Sequence, residues 1–286
     1  MTRNRGFRFQ LVRALLVLLA LVMLLPMVQT FLYSFSSIAD MKAYMKTRGN
    51  YSRDRWMDSN LSPRMFSLDQ YYHILITDNT VLRLFLNSVG YAAAILLGQA
   101  LIIPAMAFAL SKFRFPGREG IFFGIILLMV LPFQVTMVPN VLTLRSLSLL
   151  DTVWAVILPL CFSPFYIFLV RQFMVTLPDE LLEAASIDGA GPFRCYVNII
   201  LPVCRPIIGA AAALSFADCW NLVEPPLTYL SHRNDLMPLS TMFNQLASEN
   251  TGFEFAGAAL YILPALFVYL FFQEDILSGL QLTEMK

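Results

Sequence analysis

Four carboxylates lie within ten residues of a stretch that is otherwise mostly apolar: Asp179, Glu180, Glu183 and Asp188. Pro178 suits the first turn of a helix, where its missing N–H costs nothing. The first three carboxylates would lie at the positive end of the dipole of that helix and stabilise it. Gly189 is placed to supply the left-handed residue that ends it. These residues predict a short charged helix from Asp179 to Asp188.

One face of this predicted helix carries four residues at positions i, i+3, i+4 and i+7, namely Leu181, Ala184, Ala185 and Asp188. The two alanines on that face would let another backbone approach closely. Beyond the break at Pro192, the residues from Phe193 to Leu201 predict a second short helix that Pro202 stops. The same signals also fit an ordinary amphipathic connector between two membrane spans.

Asp218 is an ionisable residue within or near an apolar run, and Asn221 shares its face three residues later. Ionisable groups in a membrane usually face the bundle interior or water. The alternative is that Asp218 and Glu224 lie at the outer interface. Other amide and aromatic side chains in the apolar runs could meet a solute, although core packing explains them equally well: Gln99, Gln134, Asn140 and Trp154.

The remaining reactive side chains form no recognisable catalytic or metal site. Cysteines 161, 195, 204 and 219 show no CxxC spacing, so neither a disulfide nor a metal site is expected. His73 and His232 are isolated in loops. No lysine follows a glycine, so the chain lacks a Walker A loop and any nucleotide hydrolysis must be done by a partner. No His/Asp/Glu or Cys/His constellation occurs within the apolar runs, which argues against a membrane enzyme.

The elements that carry these residues are apolar enough to cross a membrane. Hydrophobic residues make up 58% of the 286 residues and charged residues only 14%, whereas a soluble domain carries about a quarter charged residues. A helical crossing needs about 20 residues, and strand-length alternation is absent, which favours helices over a barrel. We therefore predict an all-α polytopic membrane protein with six transmembrane helices: Ala14–Ala39, Leu84–Ser111, Gly120–Leu144, Thr152–Val170, Pro206–Ala217 (extendable past Asp218 to Val223) and Phe255–Gln273.

Basic residues alternate along the predicted topology and predict its orientation. They precede the first span, follow the second, and lie in or beside the 177–202 segment: Arg3, Arg5, Arg8, Arg13, Lys112, Arg114, Arg118, Arg171, Arg194 and Arg205. The positive-inside rule assigns these segments and both termini to the cytoplasm. The loop from Asp40 to Arg83, with seven basic residues, does not fit the rule.

The N-terminal apolar run is predicted to be a retained signal-anchor, since it is longer than a signal-peptide core and no small-x-small cleavage site follows it. After it, residues 41–80 form an extracytoplasmic loop, and Ser67 predicts the cap of a short interfacial helix. Residues 1–40 hold the N-terminus and first span, and residues 81–279 the core. Within the core lie the cytoplasmic segment 177–202 and the outer loop 224–254. Residues 280–286 are a cytoplasmic tail.

Several of these segments match one family in sequence. Glu183-Ala184-Ala185, Asp188-Gly189-Ala190 and Leu201-Pro202 resemble the "EAA" loop of binding-protein-dependent ABC importer permeases, and the similarity extends from Asn87 to Gly279. Further matches are the Asn-Ser pair that opens the second span, the Arg-Phe-Pro-Gly-Arg turn that closes it, Val138-Pro139 and Trp220-Asn221. The chain resembles the carbohydrate branch, as the maltose-type second permease subunit. It departs from the family at Leu222-Val223 and in its final tail.

The resemblance implies a type I ABC importer permease fold with a cytoplasmic coupling helix. It implies that Glu183, Ala184, Ala185, Asp188, Gly189 and Pro202 couple the chain to an ATPase. Asp218, Asn221, Trp220, Gln99 and Gln134 are the candidates for the translocation path. Expected partners are a second homologous permease, two ATPase subunits that bind ATP and Mg, an extracytoplasmic solute-binding protein and membrane lipid. No cofactor in this chain and no nucleic acid are expected.

The expected location is the plasma membrane of a bacterium or archaeon, and the expected solute a sugar or oligosaccharide. The alternatives are an importer for a glycerophosphodiester, a polyamine or a peptide, and an ion-coupled secondary transporter. A secondary transporter should show repeat halves and buried midplane charges, and the sequence shows no convincing internal repeat.

Overall fold

The computed structural model describes residues 3–42, 65–77, 79–242 and 253–284. Much of the predicted 41–80 loop and part of the 224–254 loop lie outside these residues. The first half of the described chain contains α1 (Arg3–Tyr33), α2 (Asp69–Tyr72, continued by a π-helical turn His73–Thr77), α3 (Asn79–Lys112), α4 (Arg118–Val130) and α5 (Phe133–Ser146). The second half contains α6 (Val153–Cys161), α7 (Pro164–Thr176), α8 (Glu180–Ile187), α9 (Pro192–Cys195, continued by a π-helical turn Tyr196–Ile200), α10 (Leu201–Val203), α11 (Arg205–Trp220), α12 (Glu224–Tyr229), a 3₁₀ turn Asn234–Leu236 and α13 (Glu254–Glu284).

The predicted all-α membrane architecture is confirmed. Within the described residues, four helical segments are long and apolar enough to cross a membrane: Phe9–Tyr33, Asn79–Lys112, Val153–Thr176 and Glu254–Glu274. Two further pairs of helices pass the same test but are bent, and the number reaches six if each bent pair is one span. Because each segment is apolar and internally hydrogen-bonded, it satisfies its backbone without water.

The third predicted span is not one straight helix. The run from Gly120 to Leu144 is instead α4 and α5, which meet at an angle of 110°. Pro132 has no N–H and disfavours the helical conformation at the residue before it. Accordingly, Leu131 (φ −70°, ψ 125°) and Pro132 (φ −69°, ψ 152°) are both extended.

The prediction that Pro202 stops the helix after Phe193 was wrong. The helical path continues past Pro202 to Val203, and the sharp bend of 73° comes between Val203 and Arg205. Pro202 cannot donate to the carbonyl four residues earlier. The wider π-helical turn Tyr196–Ile200 precedes it directly, and such turns commonly accompany a local change of helix direction.

The described residues divide into two compact units, Met1–Leu82 with Met242–Leu263, and Arg83–Thr241 with Pro264–Lys286. In the first unit, fully buried Gln70 donates from Nε2 to the carbonyls of Tyr33 (2.8 Å) and Ser36 (2.9 Å). Its Oε1 accepts the N–H of Ala256 at 3.2 Å. One amide side chain therefore satisfies backbone groups at the end of α1, just beyond it, and in the first turn of α13.

The second unit is built around one hydrophobic cluster drawn from α3, α4, α7, the α9–α10 segment and α11. Its buried members are Ile103, Ala107, Phe108, Leu110, Phe122, Ile125, Tyr166, Ile167, Val170, Met174, Ile200, Cys204, Ile207 and Ala211. The cluster holds together the ends of the helices that border the 177–202 segment.

Gly98 allows α3 to pack closely against α6. A Cβ built on Gly98 would overlap Cys161 Sγ and come within 3.0 Å of Cys161 Cβ. Overpacking of this kind typically destabilises by about 1–3 kcal/mol. We expect Gly98→Ala to lower the thermal stability of the solubilised protein, and Cys161→Ala in the same chain to restore most of the loss, since it removes the sulfur.

Gly90 is the matched control for this experiment. It lies in the same helix, and an added Cβ there meets nothing within 4 Å. Gly90→Ala therefore reports the change in helix propensity alone. Equal melting temperatures for the Gly98→Ala and Gly90→Ala proteins would show that α3 and α6 do not need the close approach.

Candidate functional site

The predicted helix at the carboxylate-rich segment is present as α8, Glu180–Ile187, with Asp179 and Asp188 as its flanking cap residues. The Asp179 carbonyl accepts the N–H groups of Leu182 (2.9 Å) and Glu183 (3.1 Å). Pro178 precedes the cap and so lies outside the first turn in which it was predicted. The Asp179 side chain makes no cap hydrogen bond.

Gly189 ends α8 in the left-handed conformation predicted for it, with φ +77°. Its N–H donates to the Ser186 carbonyl at 3.1 Å, and the next N–H, of Ala190, donates to the Ala185 carbonyl at 2.9 Å. This pair of bonds is the Schellman arrangement, which satisfies carbonyls that a helix end leaves free. It also fixes the direction in which the chain leaves α8.

The α8 surface is open, and no residue of the helix is buried. Glu183, Ala184, Asp188 and Gly189 are exposed and Ala185 is half-buried. Leu182 packs against the hydrophobic cluster and anchors the helix. Ile187 and Phe193, which the predicted face did not include, are 86% and 78% exposed. Large apolar side chains within a polar segment were the signal that could have identified them.

Lys112, at the end of α3, contacts the segment that leads into α8. Its Nζ donates to the Leu177 carbonyl oxygen and to Asp179 Oδ1, both at 2.6 Å. The hydrogen bond and charge of Lys112 lower the pKa of Asp179. Because Lys112 and the 177–202 segment meet, the two lie at one end of the bundle, as the charge pattern predicted. The charge pattern indicated only the side of the membrane on which Lys112 lies, and nothing local in the sequence indicated this contact.

At its other end, α3 contacts the loop that follows α12. Asn87 donates from Nδ2 to the carbonyls of Asp235 (2.9 Å) and Met237 (3.0 Å), and Ser88 Oγ accepts the N–H of Leu239 at 2.8 Å. The hydroxyl of Tyr91 donates to the Leu236 carbonyl at 2.9 Å. The Asn-Ser pair matched in sequence therefore positions the loop predicted to lie on the opposite side from α8.

Three of the candidate path residues carry polar groups on the exposed surface of the second unit. Asp218 is exposed, and its Oδ2 accepts a hydrogen bond of 2.6 Å from the buried Tyr166 hydroxyl. Asn221, also exposed, follows at the end of α11. Gln134, in the first turn of α5, donates from Nε2 to Glu224 Oε1 of α12 at 3.0 Å. Asp218 and Asn221 therefore lie at the end of α11, and Gln134 lies at the start of α5.

The other two candidate path residues lie in the packing between helices. Gln99 is 6% exposed and donates to the Leu160 carbonyl at 2.8 Å. That carbonyl has no helical partner because the residue four positions later is Pro164, which lacks an N–H. The Ser215 hydroxyl donates to Gln99 Oε1, so the amide joins α3, α6 and α11.

Trp220 is 1% exposed. Its ring stacks on Phe216 with centroids 5.5 Å apart and meets Phe85 edge-on at 5.8 Å. Gln99 and Trp220, both predicted for the translocation path, are therefore buried between helices and do not line an open surface of the described chain.

The residues that the structure describes offer no group of three or more His, Cys, Asp or Glu side chains arranged to hold a metal ion. All four cysteines are free and buried. The candidate residues described above are therefore exposed groups of the α8 segment and polar contacts between helices.

The sequence is similar to one family of membrane transport proteins over most of its length. Residues 90–274 match the family model described as binding-protein-dependent transport system inner membrane component. The chain is 30% identical over 227 residues to the arabinooligosaccharides transport system permease protein AraQ of Halalkalibacterium halodurans, covering 78% of this chain and 81% of the relative. It is 36% identical over 206 residues to the sn-glycerol-3-phosphate transport system permease protein UgpE of Agrobacterium fabrum, covering 71% and 73%.

Among solved structures, a bacterial ABC transporter involved in the import of the acidic polysaccharide alginate superposes with a TM-score of 0.79. That likeness covers 96% of this chain and 98% of the other at 23% identity, and it shows a shared fold. The family match extends over most of the chain, from a point about a third of the way along α3 to the end of the membrane-spanning part of α13. The chain belongs to the binding-protein-dependent transport system inner membrane components, the permease subunits of ABC importers.

Proposed function

We propose that this permease carries a neutral sugar or oligosaccharide into the cell and that α8, with the segment 177–202 around it, couples ATPase closure to the movement. The observation that carries the proposal is the exposed α8, which Leu182 anchors to the hydrophobic cluster and which ends in the bonds of Gly189 and Ala190. Apolar Ile187 of α8 and Phe193 of α9 are both exposed. An exposed apolar patch rimmed by charged residues is typical of a surface that docks a protein partner.

In this proposal, the partners are a second, homologous permease that forms a heterodimer with this chain, two ATPase subunits and an extracytoplasmic solute-binding protein. ATP and Mg bind to the ATPase subunits. The segment 177–202, both termini and the basic turn Lys112–Arg118 face the cytoplasm. Rigid-body motion of the packed helices then exposes the path to one side and the other in turn. The loop held by Asn87 and Ser88 faces the solute-binding protein.

The charges of the spanning segments favour a neutral solute. Asp218 and Glu224 are exposed carboxylates, and the sequence contains no Lys or Arg between Arg118 and Arg145, or between Arg205 and Arg233. Proteins usually recognise phosphate and carboxylate groups with Arg or Lys. An anionic solute would meet uncompensated negative charge on these parts of the chain, whereas sugar hydroxyls can donate to the carboxylates and to the amides of Gln134 and Asn221.

A second candidate solute is a glycerophosphate ester. The relative UgpE, named for sn-glycerol-3-phosphate transport, is more nearly identical to this chain than the relative AraQ, at 36% against 30%. The exposed carboxylates at Asp218 and Glu224 argue against this candidate, and direct competition between the two solutes separates them.

We expect the intact complex in proteoliposomes, supplied with its solute-binding protein, to import labelled arabinotriose when ATP is enclosed, and to ignore an excess of sn-glycerol-3-phosphate. The physical reason is that residues 119–144 and 206–232, which include the exposed carboxylates, contain no Lys or Arg. The measurement is accumulated radioactivity with ATP, with a non-hydrolysable analogue, and with each competitor. Import of sn-glycerol-3-phosphate in place of the trisaccharide would establish the second candidate, and solute movement without nucleotide would contradict an ABC mechanism.

A further inference from the structure

Lys112 is the last residue of α3, and its side chain is only 4% exposed. An ammonium group so far withdrawn from water needs acceptors for its protons. It has two, the Leu177 carbonyl oxygen and Asp179 Oδ1, each 2.6 Å from Nζ. The Asp179 side chain, by contrast, is 67% exposed. The contact is therefore built around the lysine, which reaches out of the core towards the segment before α8.

These two acceptors belong to different structural elements. Leu177 is the residue that caps the C-terminus of α7, where the carbonyls have no helical partner and carry the negative end of the helix dipole. Asp179 is the residue that caps the N-terminus of α8. Lys112 itself ends α3. One ammonium group thus joins the ends of three helices.

We propose that Lys112 is a positioning residue that fastens the start of α8 to the ends of α3 and α7, so that a displacement of α8 is passed to both spans. This inference rests on the proposed function, in which α8 receives the motion of the ATPase. The covalent route from α8 to α7 passes through Asp179, Pro178 and the extended Leu177, a connection that lies outside both helices. Lys112 bridges that connection by contacting both Leu177 and Asp179, and it also links the start of α8 to α3.

The other two ion pairs among the described residues do not make a comparable connection. Arg118 and Glu119 are adjacent residues at the start of α4, and Arg233 pairs with Asp235 within one loop. Both pairs are local in sequence, whereas Lys112 reaches 65 and 67 residues along the chain. Because Lys112 lowers the pKa of Asp179, the carboxylate stays ionised until the pH falls through that lowered value, where the ion pair is lost. The hydrogen bond to the Leu177 carbonyl does not depend on that ionisation.

The test measures ATP hydrolysis separately from the conformational change of the permease. The conformational change is followed by the labelling of a single cysteine, which requires no solute. All four native cysteines are buried, so a cysteine introduced by Ala217→Cys, at an exposed position near the end of α11, is the group that a water-soluble maleimide can reach in this chain. The intact complex carrying this substitution is labelled without nucleotide and after trapping with ATP and vanadate. We expect the labelling rate to change several-fold between these states.

With Lys112→Met added, the complex should still hydrolyse ATP, but the nucleotide-dependent change in labelling should be lost, because both hydrogen bonds of a charged group are removed. Lys112→Arg should restore it. Asp179→Ala leaves the carbonyl contact in place and removes an exposed pair, so it should lower the change by no more than roughly threefold. Arg118→Met, which breaks a pair local to α4, is the control and should leave the change near the wild-type value.

The charge exchange Lys112→Asp with Asp179→Lys tests whether the ion pair alone is sufficient for the switch. It recreates the ion pair but turns a carboxylate towards the Leu177 carbonyl, so it should not restore the switch. Full restoration would overturn the three-way contact, and so would normal switching by Lys112→Met. A parent complex that shows no nucleotide-dependent labelling would instead overturn the proposed function. If Lys112→Met prevents assembly, the variants Asp179→Ala and Lys112→Arg test the proposal in its place. A wild-type labelling response from Asp179→Ala, together with no rescue of that response by Lys112→Arg, would refute it.

Discussion

Gly189→Val is expected to abolish capture of the ATPase subunit and ATP-driven uptake while leaving membrane insertion intact. Gly189 has φ +77°, a conformation that costs an L-residue about 1–2 kcal/mol, and more when the residue is β-branched. Relief of that strain would break the bonds from Gly189 and Ala190 back to α8, so the chain would leave the helix in another direction and carry Phe193 with it. The measurements are co-purification of the ATPase with a tagged permease, and uptake.

Gly191 is the matched control for this substitution. An added Cβ meets nothing within 4 Å at either glycine, so the two sites differ in backbone conformation and not in space. Gly191 is extended (φ −71°, ψ 165°), the conformation that a residue before proline prefers. Gly191→Val should therefore be tolerated, and Gly189→Asn should retain part of the activity because asparagine accepts the left-handed region. Equal loss from both valines would refute the requirement for a left-handed residue.

Glu183→Arg is expected to prevent docking of the ATPase. Glu183 is exposed in the first turn of α8, and reversing its charge places a cation at the positive end of the helix dipole. That effect alone is worth about 0.3–1 kcal/mol at an exposed site. We expect a larger loss, because the substitution also introduces a long cation on the surface that meets the partner. Recovery of the ATPase with the tagged permease, over a series of salt concentrations, measures it.

Glu180→Arg provides the comparison. Glu180 is also exposed and also lies in the first turn of α8, so the arginine meets the same dipole. If Glu183 faces the ATPase, Glu180→Arg should lower recovery by no more than about fivefold, the equivalent of the dipole effect. Indistinguishable behaviour of the two variants would show that helix stability, and not a contact with the partner, explains the loss.

The features of α8 were predictable because they depend on neighbours in sequence. Carboxylates at a helix start and a glycine after its end act within one turn, so Glu180, Glu183 and Gly189 could be placed without knowledge of the rest of the chain. The apolar runs were likewise visible from composition. The 110° bend between α4 and α5 was not, because hydropathy gives the length of a run and not its direction, even where Pro132 marks a break.

Residues whose roles depend on distant partners could not be assigned from local patterns. The partner of Gln99 is a carbonyl 61 residues away, left open by Pro164, and the partners of Asn87 are carbonyls about 150 residues away along the chain. A buried amide that replaces a missing backbone donor and an amide that binds a solute have the same sequence signature. Trp220 was ambiguous for the same reason, since its burial against Phe216 and Phe85 appears only in the folded chain.

The length of α3 has a consequence for the lipids that this permease tolerates. Its 34 residues form a rod of about 51 Å, whereas the hydrocarbon layer is about 30 Å thick. A centred rod leaves about 10 Å beyond each face of that layer, and its terminal lysine occupies one of these margins. A bilayer thickened by a few ångströms would therefore leave the ammonium group among the headgroups. Helices α4 and α5, with 13 and 14 residues, are each about 20 Å long. Neither helix alone is longer than the hydrocarbon layer is thick. Hydrophobic mismatch should act first on that bent pair.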